Sequence, residues 1–115
     1  MFERAVLHLD LDSFFVSVER LKNSELFSFD QLIDITVIDY PSREKRFELI
    51  YIFLSMKKNK RIILRTSIKE NENLDSIISI FKASDWYERE CYDLFGINFS
   101  YKNSEIIEIS IKNVR

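Results

Sequence analysis

The sequence predicts an α+β fold, a single two-layer domain in which an antiparallel β-sheet meander carries helices packed on one face. Three observations support this. Three segments rich in β-branched or apolar residues follow one another between residues 32 and 68, with connections of only a few residues, which is the spacing of a meander. Stretches with apolar residues at helical intervals flank them on both sides. The one glycine among the 115 residues, Gly96, follows directly on such a stretch, where a left-handed residue ends a helix without a Cβ penalty.

Taken in order, Ala5-Val6-Leu7-His8-Leu9 alternates weakly and reads as a first strand. Asp12 is placed as the N-cap of a helix with Phe14, Val18 and Leu21 at helical spacing and Phe15 beside them, stopped by Lys22-Asn23-Ser24. After a loop around Ser24 to Asp30, Leu32 to Asp39 is β-branched and reads as a strand. Tyr40 to Lys45 is a connection, since Pro41 has no amide to give a central strand. Arg46 to Ser55 is almost wholly apolar, which puts it in mid-sheet or buries both its faces. Met56 to Lys60 makes the next turn. Arg61 to Ile68 sets Ile62, Leu64 and Ile68 against Arg61, Arg65 and Ser67, the alternation of a half-buried strand. Asn71 to Asn73 is expected to cap a second helix carrying Leu74, Ile77, Ile78 and Phe81 at i, i+3, i+4 and i+7. Ile106 to Val114 reads as a last strand.

Between these lies Trp86 to Phe99, which holds the only Trp, Gly and Cys of the chain. As a helix it starts at Ser84 or Asp85, with Glu88 placed to reciprocate if Asp85 is the cap. Tyr87, Cys91, Leu94 and Phe95 form an apolar stripe, and Asp85, Arg89 and Asp93 a possible ladder of ion pairs on another face. Two readings stay open. One is an amphipathic helix with a solvated charged face; the other is an interface element, because aromatics and Arg are enriched at binding hot spots.

Composition excludes several function classes. With 46% hydrophobic and 31% charged residues the chain has the make-up of a folded soluble domain, and a formal charge of -2 gives no general attraction to nucleic acid or anionic lipid. No apolar run is long enough to span a bilayer, and Met1 to Asp12 lacks the apolar core of a targeting signal. One Gly and one Pro, with abundant Ile, Asn, Lys and Phe, is the bias of an A+T-rich genome such as that of an organelle or a reduced bacterium.

His8 and Cys91 are the sole residues of their kinds, so a Cys-His nucleophile would have to use both. Cys91 lies in the apolar stripe, which favours a buried, inert thiol. Asp85, Glu88, Glu90 and Asp93 are enough carboxylates for acid-base work or a hard cation, but Arg89 lies among them and no Gly-rich loop surrounds them. Arg43, Lys45 and Arg46, then Lys57, Lys58, Lys60 and Arg61, flank Tyr40, Phe47, Tyr51 and Phe53 in the manner of a single-stranded RNA platform. Against it, Phe47 to Leu54 is too continuously apolar for an open face.

At Asp39-Tyr40-Pro41-Ser42-Arg43-Glu44-Lys45-Arg46-Phe47-Glu48 the chain begins to resemble a known family, and Glu88-Arg89-Glu90, Asp93, Leu94-Phe95, Gly96 and Phe99 extend the match. It is similar to the thirty-kilodalton subunit of respiratory complex I, the NADH:ubiquinone oxidoreductase, over roughly Phe27 to Phe99. The resemblance implies a non-catalytic scaffold subunit of the peripheral arm, without catalytic, cofactor or metal residues of its own. It implies FMN, iron-sulfur clusters and ubiquinone in other subunits, and as partners chiefly the subunits of the quinone site and of the terminal iron-sulfur cluster. It also implies a matrix-side place at the mitochondrial inner membrane, with no membrane insertion and no nucleic acid. The family motif marks Tyr40, Pro41, Arg43, Arg46, Trp86, Glu88, Arg89, Glu90, Asp93, Gly96 and Phe99 as subunit-interface residues. A buried Glu-Arg-Glu group is then expected to find partners on neighbouring chains.

Ser100 to Arg115 departs from the family's usual His-Pro-Asp-Leu-Arg-Arg continuation and long tail, so the expectation is that the tail has been lost or is supplied by a second polypeptide. Two alternatives remain: the equivalent subunit of a bacterial or plastid quinone reductase or membrane-bound hydrogenase, and a free RNA-binding α+β domain.

Overall fold

The computed structural model describes residues 2–3, 14–23, 28–100 and 108–113. Strands β2 (Gln31–Asp39), β3 (Phe47–Ser55) and β4 (Lys60–Ile68) form the expected antiparallel meander. The sheet extends beyond it, because β7 (Glu108–Asn113) pairs with β4 and β1 (Phe2–Glu3) pairs with β7, giving the order β1-β7-β4-β3-β2. The central place of β3 explains its apolar sequence. Phe47, Leu49, Tyr51 and Phe53 are buried on the helix side, while Ile50, Ile52 and Leu54 are half-buried on the other. β4 alternates as its sequence implies, with Ile62, Leu64 and Ile68 buried and Arg61, Arg65 and Ser67 half-exposed. The strand expected at Ala5 to Leu9 and the cap expected at Asp12 lie outside the described residues.

Helices α1 (Phe14–Asn23) and α2 (Ser84–Phe95) both pack on the Tyr51 face. Phe14, Val18 and Leu21 turn into the core, and the Phe14 ring meets that of Tyr51 at 4.7 Å between centroids. The helix is held at both ends by one downstream segment: the Phe15 N–H donates to Asp75 Oδ2 at 3.2 Å, and Lys22 Nζ donates to the Ile80 carbonyl at 2.7 Å while lying over the Phe81 ring.

That segment corrects a sequence expectation. Residues 74–81 form no helix; Leu74–Asp75 is a short strand, β5, paired in parallel with β6 (Phe99–Ser100). The backbone donors go elsewhere. Leu74 N–H donates to the Asn98 carbonyl and Ser76 N–H to that of Ser100, and the Ile77 N–H donates to the Glu88 carboxylate. Only a single turn follows, in which Ile80 and Phe81 both donate to the Ile77 carbonyl. Leu74, Ile77, Ile80 and Phe81 are still buried, but by bending of the chain, and Ile78 faces out. The apolar spacing was that of a helix; tertiary hydrogen bonds overrode it.

β2 is one edge of the sheet. A bulge at Leu32/Asp34 leaves Ile33 without a cross-strand partner, and Asp34 Oδ1 accepts the Ile35 N–H at 2.8 Å while Oδ2 accepts the Thr36 hydroxyl.

α2 ends as its sequence dictates. Gly96 takes φ 72° and ψ 21°, and its N–H donates to the Tyr92 carbonyl at 2.8 Å. A Cβ at Gly96 would meet nothing within 4 Å, so the requirement is purely one of backbone conformation. Gly96→Ala is therefore expected to lower stability by about 1–2 kcal/mol in urea denaturation. Gly96→Asn should cost less, because Asn tolerates the left-handed region.

Candidate functional site

The residues marked by the two motifs lie on α2 and on the β2–β3 connection. α2 does not start with the expected side-chain cap: Ala83 precedes it in helical conformation and neither Ser84 nor Asp85 caps. The turn before it removes the need, since the Ser84 and Asp85 N–H groups donate to the Phe81 and Lys82 carbonyls. Asp85 instead pairs with Arg89 across one helical turn at 3.1 Å.

The stripe that α2 buries is Ser84, Glu88 and Cys91, with Tyr87 half-buried. Leu94, placed in the apolar stripe by its spacing, is 69% exposed. Glu88 is the unexpected member. The residue is 4% exposed, and its carboxylate accepts three hydrogen bonds, from Ser76 Oγ at 2.8 Å, the Ile77 N–H at 3.0 Å and Ser84 Oγ at 2.5 Å. Burial raises its pKa against the opposing pull of these donors. Of the Glu-Arg-Glu group, Glu88 needs no neighbouring chain, being satisfied within its own, whereas Arg89 and Glu90 are exposed. The spacing does carry a signal for this stripe, because Ser84, Glu88 and Cys91 recur at i, i+4 and i+7.

Cys91 is buried beneath α2, and its thiol is pushed up to about 12 by burial and by the charges of Glu90, Glu88 and Asp34. No nucleophile arises there. His8 lies outside the described residues, and among those described no group of three or more His, Cys, Asp or Glu is arranged to hold a metal ion. Nor do the aromatics form an RNA platform: Phe47, Tyr51 and Phe53 are core residues. The two basic clusters sit at opposite ends of β3, about 30 Å apart for nine residues at strand rise.

The outward surface of α2 has a different character. Trp86 is 71% exposed, Tyr92 56%, and Arg89, Glu90 and Asp93 stand in the open around them. This is a folded helix presenting hot-spot residue types to solvent.

The β2–β3 connection is built as a rigid turn. The Arg43 N–H donates to the Tyr40 carbonyl at 3.0 Å with Pro41 at the second position, a place its fixed φ suits. The Arg43 guanidinium stacks 3.7 Å from the Tyr40 ring centroid. Arg46 grips Asp39 with Nε at 2.7 Å and Nη2 at 3.0 Å, and reaches Glu70 with Nη1 at 2.6 Å. The fork holds the Asp39 carboxyl below its usual range and the Arg46 guanidinium above its own. Phe47, next in the chain, meets Phe95 edge-on at 6.0 Å. The structure thus brings Arg46 and the Gly96 end of α2 to one end of the molecule. Trp86 lies about 13 Å away along the helix, and half-buried Phe99 packs against the core from β6.

Comparison with known proteins agrees with the motif. Residues 7–106 match the family described as respiratory-chain NADH dehydrogenase, 30 kDa subunit. Among curated relatives, the NADH-quinone oxidoreductase subunit designated C, from Rickettsia bellii, is 50% identical over 82 residues, 71% of this chain and 42% of that one. The protein of the same name from Jannaschia sp. is 48% identical over 83 residues, 72% of this chain and 40% of that one. The Rickettsia typhi protein, again so named, is 44% identical over 88 residues, 76% of this chain and 45% of that one. The chain spans less than half the length of these relatives.

Three outcomes follow from the Glu88 and Cys91 geometry. Glu88→Ala strands the Ile77 N–H and two hydroxyls and is expected to cost about 2–4 kcal/mol in urea denaturation. Because the folded-state pKa is raised, the stability from a protonated Glu88 is full below the ordinary value of 4.5 and is lost as pH rises through the folded value. Glu88→Gln stays neutral, so its stability relative to the native chain should improve from pH 4 upward and then level off. The Cys91 thiol should react with Ellman's reagent at pH 8 only when denaturant is added, whereas rapid reaction of the folded chain would contradict its burial.

Proposed function

We propose that this chain, which belongs to the respiratory-chain NADH dehydrogenase 30 kDa subunit family, serves as a non-catalytic scaffold of an NADH-quinone oxidoreductase. Its task is to hold neighbouring subunits of the peripheral arm so that the distances between redox centres stay fixed. The carrying observation is the solvent-facing surface of α2, where Trp86 stands 71% exposed among Arg89, Glu90 and Asp93 on a helix anchored from beneath by Glu88. A rigid helix with aromatic and charged groups already in place loses little side-chain freedom on docking. The rigid Tyr40-Pro41-Arg43-Arg46 turn offers a second gripping point at the Phe95 end of the same helix.

The partners in this reading are the subunits that form the quinone site and carry the terminal iron-sulfur cluster. FMN, iron-sulfur clusters and ubiquinone belong to other chains of the assembly. No helix among the described residues is long and apolar enough to cross a membrane, in keeping with attachment through partner subunits. The compartment proposed is the matrix side of the mitochondrial inner membrane. A bacterial enzyme is the second reading, favoured by the bacterial sources of the relatives.

Gradient sedimentation of a tagged chain tests the proposal: it should travel with a large, membrane-associated particle that oxidises NADH. Trp86→Ala should leave stability within about 0.5 kcal/mol, as for an exposed side chain, yet lower the fraction of chain in that particle at least about tenfold, the effect of a modest hot spot. A native chain that sediments only as a free monomer refutes the reading.

A further inference from the structure

α2 does not seal the sheet edge that it covers. Between it and β2 runs an open cleft of about 190 Å³, floored by Ile35, Val37 and Cys91 and walled by Leu94 and Phe95. Leu94 is 69% exposed and Phe95 37%. The charges lining the cleft are all of one sign, Asp34 from β2 and Glu90 from α2, with no Lys or Arg among the lining residues. Asp34 is occupied by local bonds to Ile35 and Thr36. Glu90 is exposed, and no ion pair engages it among the described residues.

We infer that this cleft is a docking groove for one segment of a partner protein that presents an apolar side chain next to a Lys or Arg. The apolar side chain fills the space between Val37 and Leu94, and the cation meets Glu90 at the rim. Charge complementarity selects this occupant. An acidic segment would bring like charges together beside Glu90 and Asp34, and a purely apolar one would leave the Glu90 carboxylate desolvated without a partner. The segment lies in the cleft and does not lengthen the sheet, since Asp34 already holds the Ile35 N–H of the edge strand. This inference rests on the scaffold reading and goes beyond it, because the groove, which meets the Trp86 face at Glu90, takes a partner of defined chemistry.

The test uses the full chain, tagged, as the only copy in the cell. With Leu94→p-benzoylphenylalanine, irradiation of the purified NADH-oxidising particle should crosslink the chain to one partner peptide with Lys or Arg within two positions of an apolar residue. Glu90→Arg should lower the amount of chain in the particle at least about tenfold, while Glu19→Arg, on exposed α1 surface, leaves it unchanged. Crosslinking to a second copy of the chain, crosslinking to a segment without a basic residue, absence of any crosslink, or normal assembly of Glu90→Arg each overturns the groove. In all four cases the native chain still sediments with the particle and the scaffold reading stands. A native chain missing from the particle removes both.

Discussion

The helix layer depends on the carboxylate of Glu88. Residues 74–84 contain little regular structure, so their polar groups cannot satisfy one another as those of a helix do. Glu88 reaches back from α2 and gathers the Ser76 hydroxyl, the Ile77 N–H and the Ser84 hydroxyl. Asp75, in the same segment, accepts the first-turn N–H of α1, and the Ile80 carbonyl accepts from Lys22 near its last turn. A single acidic side chain on α2 therefore fixes the segment that in turn positions α1. In a site this dry each of these bonds is stronger than at the surface, and leaving any of them unmade is correspondingly costly.

The sheet was legible in the sequence because its pattern is local. The two-residue alternation of Arg61 to Ile68, the β-branched run of Leu32 to Asp39 and the apolar run of Phe47 to Leu54 each state which faces are wet. Gly96 was equally readable, since one backbone conformation demands it. The segment at Leu74 to Phe81 was not. Its spacing suits a helix, but the groups that claim its amides, Glu88, Asn98 and Ser100, lie 11 to 24 positions further on, where periodicity carries no information about them. The failure of Ser84 and Asp85 to cap α2 has the same origin: backbone carbonyls of a preceding turn do the work, and carbonyls have no sequence signature.

The family motif divides physically into two kinds of residue. Glu88, Gly96 and Arg46 act inward, through a buried carboxylate, a left-handed turn and a fork onto Asp39 and Glu70. Trp86, Arg89, Glu90 and Asp93 act outward and are exposed. The inward group explains why the outward group can be presented without a partner already in place. The contact of Phe47 with Phe95 joins the two motifs and sets the end of the β2–β3 connection against the end of α2.

The bulge on β2 bears on the life of the chain before it meets any neighbour. A long, straight sheet edge would invite copies of a free chain to zip together into fibrils. Ile33 breaks the register, and Asp34 places a charge on the edge strand. The margin of the sheet is thereby made a poor template for self-association.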